Sequence, residues 1–304
     1  MATTTIPVGD RDLSVSNLDK QLYPSDGFSK GDVLDYYRSV ASDMVRHLRG
    51  RPLTLRRFPD GIEAEGFFQK EAADFFPAWI RTRRVPHRHD HGSTRYVVCD
   101  DEETLLYLAN LGTLEFHIGL SQVDKIARPD LLVIDVDPPD GTPLSEIREI
   151  TRAVRKVYEA LDLVPFTQAT GGRGYHVVAA LDRSGDYDMV RPLARRMADF
   201  LAAHDQDRLT TEQRKQQRGD RVFLDTNRNG RRQTMIAPYS LRARPGAPVA
   251  TPIDWSELRR VDPNHYRLDS VPRRLRRKVD PWADLSQHAT PARQVKNRIN
   301  ALTR

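Results

Sequence analysis

Only one cysteine, Cys99, stands in the 304 residues. A single thiol excludes an internal disulfide framework and any zinc site built on paired cysteines. No apolar run reaches the ~18 residues that a membrane-spanning helix needs. The opening "MATTTIPVGDRDLS" lacks the basic, apolar and small-residue order of a secretory signal. A soluble cytoplasmic protein without a membrane partner is therefore expected. Internal repeats and low-complexity tracts are missing as well. So is the phosphate loop G-x-x-x-x-G-K-[ST]. The one glycine-rich stretch runs into a strand pattern, whereas the dinucleotide fingerprint requires a helix there.

What is present favours a globular fold. Hydrophobic residues make up 38% of the chain, and its length allows one large domain or two modest ones. Lysine and arginine outnumber the acids by 48 to 42, with a pI near 9.5. The excess is clustered in "RTRRVPHR" (81–88), "RKQQRGDR" (214–221), "RRLRRK" (273–278) and "RQVKNR" (293–298). Such clusters suit a phosphate-rich partner, with a merely well-solvated surface as the alternative.

Periodicity supplies the elements. Ser29 and Asp32 have the spacing of a capping box, and Val33, Tyr37, Val40, Met44 and Leu48 follow at helical intervals. "LTLRRFPDG" and "GFFQKEA" predict strands around a Pro-Asp-Gly turn, and "RYVVCDD" a further short strand. "EETLLYLANLG" predicts a helix ended by Gly112. From residue 131 the pattern reads strand, helix (about 145–161), strand, strand, helix, strand. The strand that closes this order is expected at "RVFLD" (221–225), with a further strand at "QTMIAPYSL" (233–241). That order predicts a split β-α-β sheet, antiparallel or mixed, with helices on one face. Beyond "ATPIDW" the Pro- and Arg-rich chain is expected to wrap the surface.

Three stretches carry chemistry. In "LLVIDVDPPDG" (131–141) an apolar strand ends in two acids one residue apart. Residues i and i+2 share a face, so Asp135 and Asp137 project together. Adjacent carboxylates repel unless protonated, hydrogen-bonded or neutralised by a cation. Hard oxygen donors suit Mg²⁺ or Mn²⁺, and a pair of ions serves in-line phosphoryl transfer. Turn chemistry before Pro138 and Pro139 is the plainer reading. In "ATGGRGYHVV" (169–178), amides around Gly171 and Gly172 could form an anion nest, joined by Thr170, Arg173 and His176. A glycine hairpin with an incidental histidine is its alternative. In "RVFLDTNRNGRRQTMIAPYSLRAR" (221–244) a second apolar strand delivers Asp225, with Arg242 and Arg244 beyond it. Together the three favour a metal-dependent nucleotidyl-transfer site. "HRHDH" (87–91) resembles a metal cluster but has loop character, and is expected to be solvated or to face DNA.

These three stretches resemble the motifs of the polymerase domain of bacterial ligase D, in the archaeo-eukaryotic primase superfamily. "SNLDKQLYP", "RPLTLRRFPDGIEAEGFFQK" and "LLYLANLGTLEFH" resemble the same family, so the likeness covers roughly residues 14 to 260. The chain looks like a stand-alone version of that domain, similar to the primase-polymerases of mycobacteria and other actinobacteria. The resemblance implies an α+β primase-polymerase fold, with an RRM-like catalytic sheet packed with an N-terminal αβ module. It places the catalytic domain at 1–265, its two modules sharing one cleft, and a basic C-terminal extension at 266–304.

The resemblance also implies roles. Asp135, Asp137 and Asp225 would be catalytic and hold two Mn²⁺ or Mg²⁺ ions. His117, Thr170, Gly171, Gly172, Arg173, His176 and Arg242 would bind the nucleotide. Lys20 and Lys30 would hold a downstream 5′-phosphate, Phe67 and Phe68 would stack on template, and Arg218 would contact DNA. Thr170 and Arg173 replace the family's usual serine and lysine, and "EFHIGL" lacks the Pro-Trp that often follows the histidine. The implied activity is template-dependent DNA/RNA nucleotidyl transfer that fills short gaps or extends ends in excision repair or end joining. The implied substrates are gapped or broken DNA with a 5′-phosphate and NTP or dNTP, ribonucleotides preferred. A monomer at the bacterial nucleoid, meeting a DNA ligase and a Ku-type partner, completes the expectation. Two alternatives stand beside it: a catalytically weak DNA-end binding module that recruits a ligase, and a metal-dependent nuclease or phosphohydrolase.

Overall fold

The structure, a computed structural model, describes residues 3–87 and 92–302. The chain folds as two units. One comprises Met1–Gly119, Met235–Thr251 and Tyr266–Val279; the other comprises Leu120–Thr234, Pro252–His265 and Asp280–Arg304.

The second unit is built around the strand Leu131–Asp137. Its four leading apolar residues are all buried, as expected where a sheet is covered on both faces. Both flanking strands are antiparallel to it: Tyr175–Ala180 on one side, Val222–Asp225 on the other. Phe166–Ala169 lies antiparallel beyond Tyr175–Ala180, and Leu209–Thr210 lies parallel beyond Val222–Asp225. The helices Leu144–Ala160 and Tyr187–His204 pack on the central strand and on each other. Ile147, Ile150, Val154 and Val157 lie on the buried face of the first at the predicted intervals, and Leu161, just past its end, is buried too. The order strand-helix-strand-strand-helix-strand is thus realised as a mixed sheet.

The first unit contains the helix Lys30–Leu48. Its start carries the predicted capping box: the Ser29 hydroxyl accepts from the Asp32 amide at 3.2 Å, and the Ser29 amide donates to Asp32 Oδ2 at 2.7 Å. Strand Thr113–Gly119 pairs antiparallel with Leu53–Arg57, which carries Phe67–Gln69 on its other side. Two hairpins, Thr3–Val8 with Arg11–Ser16 and Thr82–Pro86 with Ser93–Val97, were not predicted as such, nor was Thr113–Gly119.

Two expectations are corrected. Only Thr234–Ile236 of the strand predicted over 233–241 is extended. Pro238 lacks an amide donor and Tyr239 adopts a left-handed φ of 65°, which stops a ladder. The tail beyond residue 266 does more than lie on the surface. Val271, Trp282, Val295 and Ile299 are buried, and the Trp282 indole donates to the Thr167 carbonyl at 3.0 Å. Apolar anchors at helical spacing in Ala292–Leu302 outweigh its high charge.

Candidate active site

Register gathers the acids of the second unit. Asp135 stands directly opposite Asp225 on one neighbouring strand and opposite His176 on the other. Directly opposed side chains lie ~5 Å apart at Cβ. Asp137, two residues on, shares the face. A row His176–Asp135–Asp225 therefore crosses three strands, with Asp137 beside it.

Arginines stand against each carboxylate, and the His176 ring lies beside one of them, with Nε2 3.5 Å from Asp135. Arg228 reaches both Asp135 (3.7 Å) and Asp225 (3.6 Å). Arg173 approaches Asp137 at 3.4 Å and Asp140 at 2.7 Å. Arg218 lies 3.9 Å from Asp137, its guanidinium 3.6 Å over the Phe223 ring. Burial raises the Asp225 carboxyl above its ordinary range and the Asp135 charge raises it further, against the lowering effect of the Asn227 amide and Arg228.

Three carboxylates on one face, with hard oxygen donors, suit a divalent ion. Among the described residues, however, no three His, Cys, Asp or Glu side chains converge into a ready-made metal cage. The donor set, hard carboxylate oxygens on one sheet face, fits such an ion chemically. His176 is almost fully buried, and its Nδ1 has no hydrogen-bond partner. A buried orphan of that kind is costly and points to a ligand.

The glycine turn is shaped by close approach. A Cβ at Gly174 would fall 1.7 Å from the Val136 carbonyl oxygen, so only glycine lets the turn lie on the strand between the two aspartates. The Thr170 hydroxyl closes the turn, donating to the Gly174 carbonyl (2.7 Å) and accepting from the Gly172 amide (3.2 Å). The Gly171 amide donates to the Pro263 carbonyl at 2.7 Å. Two amides of the expected nest are therefore already engaged, and Arg173 and His176 are the groups this stretch turns toward the acids.

The first unit holds the other predicted residues in two groups. His117 lies 3.1 Å from Glu115, and Arg242 Nε donates to the same carboxylate at 3.3 Å. Phe68 meets the His117 ring edge at 5.9 Å and sits under Arg56. Phe67, on the alternate side of the strand, stacks instead with Arg57. Elsewhere Lys20 and Lys30 are joined through backbone: the Lys30 amide donates to the Lys20 carbonyl at 2.7 Å. Lys30 Nζ donates to the Ser16 carbonyl (2.7 Å), and Lys20 pairs with Asp60 (2.5 Å). Burial, then the Lys20 charge, pull the Lys30 amine down to about 8. Of the "HRHDH" stretch, residues 88–91 lie outside the described residues.

Sequence reasoning missed Arg228, Glu115 and Asn229. Two of them had a signal: Arg228 is three residues past Asp225, and Glu115 is two before His117 on a strand. Asn229 is fully buried and bonds the backbone of Val133, a contact invisible without the fold.

The chain is similar to known proteins over most of its length. The model of the LigD primase-polymerase domain matches residues 29–282. The chain is 34% identical over 275 residues to the multifunctional non-homologous end joining protein LigD of Mycolicibacterium smegmatis, covering 90% of this chain and 35% of that one. It is 32% identical to the corresponding Pseudomonas aeruginosa protein, covering 90% of this chain and 32% of that one. The chain thus spans about a third of the length of these curated relatives. Among solved structures, the polymerase domain from Mycobacterium tuberculosis ligase D in complex with DNA superposes with a TM-score of 0.84. It is 33% identical, and the match covers 91% of this chain and 99% of that one.

Proposed function

Because the chain belongs to the family of LigD primase-polymerase domains, we propose that it is a template-dependent nucleotidyltransferase that fills short gaps or extends ends in DNA repair. The observation that carries this reading is the row His176–Asp135–Asp225 with Asp137 on the same face. Asp135, Asp137 and Asp225 would hold Mn²⁺ or Mg²⁺. Such ions, when bound, make a primer 3′-hydroxyl more acidic and offset charge on the departing pyrophosphate. Arg173 and His176 turn donors toward triphosphate oxygens, and Thr170 shapes the turn that presents them. Arg218 and Arg228 supply fixed positive charge beside the carboxylates. His117 and Arg242 bind the nucleotide's sugar and phosphates, with ribonucleotides preferred. Phe68 offers a stacking face to a template base. Lys20 and Lys30 hold the 5′-phosphate of the downstream strand. The partners would be gapped or broken DNA, a DNA ligase and a Ku-type end-binding protein, met by a monomer at the nucleoid. Among the described residues no helix is long and apolar enough to cross a membrane.

The test is primer extension on a short gapped duplex with Mn²⁺, using ribo- and deoxynucleotides in parallel, beside an Asp135→Ala, Asp137→Ala control. Templated extension by the wild type and none by the control is expected. DNA binding without extension under any metal would overturn the reading and favour an end-binding recruitment module.

A further inference from the structure

Glu115 is a buried carboxylate on the sheet face that also carries Thr113 and His117. Its side chain is 2% exposed, yet burial is opposed from several sides. Arg56 Nη1 lies 3.5 Å from Oε1, Arg242 Nε 3.3 Å, and the Ala243 amide 3.1 Å; His117 Nε2 lies 3.1 Å from Oε2. Burial would raise this carboxyl, but the His117 hydrogen bond and the Arg242 charge hold it well below the usual range. It is therefore ionised, and an ionised carboxylate only accepts. His117 Nε2 must carry the proton in that contact, which fixes the ring's tautomer and tilt.

Register extends the cluster. Glu115 stands opposite Arg56, and Arg56 stands opposite Phe68. The Arg56 guanidinium lies 5.4 Å over Phe68 and 4.9 Å over Phe58. One buried anion thus orients an imidazole, two guanidiniums and, through Arg56, an exposed aromatic. Replacing buried ion pairs by packed apolar groups is often neutral or stabilising, so stability alone does not account for this arrangement.

We propose that Glu115 is the positioning residue of the nucleotide-recognition surface, holding His117 by a protonated Nε2 and Arg242 by its Nε so that both meet sugar and phosphate in one arrangement. This rests on the assignment of His117 and Arg242 to nucleotide binding made above. The residue acts through its neighbours rather than on the reacting atoms.

The experiment is steady-state single-nucleotide incorporation by the wild type, Glu115→Gln, His117→Ala and the double variant, with ribo- and deoxynucleotides. Glu115→Gln presents an amide N–H₂ to groups that are all donors. Nucleotide KM should rise about tenfold, the worth of one charge-assisted hydrogen bond, with kcat little changed. The ribo-to-deoxy ratio should contract, and the KM penalty should shrink in the His117→Ala background to the part carried by Arg242. An unchanged KM and ratio, or equal penalties in both backgrounds, would overturn the proposal. Long-range ¹H–¹⁵N correlation of His117 in the wild-type protein needs no variant to fold and no turnover. A protonated Nε2 in the free protein supports the assignment and a bare one overturns it. Absence of extension by the wild type strikes instead at the polymerase reading, and the histidine tautomer still decides the role of Glu115.

Discussion

The sharpest test of how the site is held concerns Asn229. Strand Val222–Asp225 stops pairing at Asp225, opposite Asp135. Val133, two residues before Asp135, would otherwise lack a partner on that side. The Asn229 amide takes the missing place: its Oδ1 accepts from the Val133 amide at 2.9 Å, and its Nδ2 donates to the Val133 carbonyl at 2.6 Å and the Thr226 carbonyl at 2.9 Å. One side chain thereby continues the ladder and ties down the turn that carries Arg228. Asn229→Ala removes three buried hydrogen bonds at about 1 kcal/mol each, and an orphaned Val133 amide brings the cost to about 4 kcal/mol.

Asn229→Asp separates the parts of that sum. A carboxylate keeps the acceptor for the Val133 amide but turns its second oxygen on two carbonyls. At pH 7 it should be less stable than Asn229→Ala. A carboxyl in that place has its folded pKa raised above the ~3.9 of the unfolded chain. The unfolded state then binds fewer protons between the two values, so stability falls as pH rises through that window and returns on acidification. Urea unfolding followed by circular dichroism at pH 7 and at pH 4–5 measures both effects. A loss below about 1 kcal/mol for Asn229→Ala, or an Asn229→Asp variant at least as stable as it at pH 7, would refute the ladder argument.

Other outcomes follow from single contacts. Gly174→Ala drives a Cβ to 1.7 Å from the Val136 carbonyl oxygen and 3.0 Å from Pro138 Cδ, so the turn must lift off the strand. It should cost about 3 kcal/mol and abolish incorporation, whereas Gly27→Ala, at a φ of 73° with open space around it, should cost about 1 kcal/mol in thermal melts. Lys30, with its amine at about 8, is a cation at pH 7 and largely neutral at pH 9. The affinity advantage of a 5′-phosphorylated over a 5′-hydroxyl downstream end should therefore shrink about tenfold from pH 7 to pH 9, and a flat ratio in fluorescence anisotropy would exclude Lys30 from phosphate binding. Phe68→Ala should weaken binding of gapped duplex by about 1–3 kcal/mol while Phe67→Ala changes it far less, because only Phe68 shares a sheet face with His117.

What could be read from the sequence was whatever lies close along the chain. The apolar run before Asp135 and Asp137, the i+2 spacing of the two acids, the capping box at Ser29 and the helix intervals from Ile147 to Leu161 are all local patterns. Their physics depends on a few neighbouring residues, so no register is needed to see them. The partners of those residues are different. Arg56, Glu115 and Phe68 are far apart in sequence and form a row only because strands Leu53–Arg57, Thr113–Gly119 and Phe67–Gln69 align in one register. A slip of one residue would turn Phe68 from Arg56 and His117 to the other face. The glycine turn illustrates the same limit from the opposite side. Its composition predicted an anion nest, yet the Gly171 amide meets the carbonyl of Pro263, a residue no local window contains. The tail misled for an energetic reason: charge dominates its composition, but a handful of apolar residues at the right intervals decides where a helix lies. Chemical identity is thus legible one residue at a time, while an active site is a statement about pairs. Asp225 shows the difference most plainly. On its strand it is an ordinary terminal acid; opposite Asp135 it is a carboxyl raised by burial and by its neighbour's charge, which is the condition a bound cation would relieve.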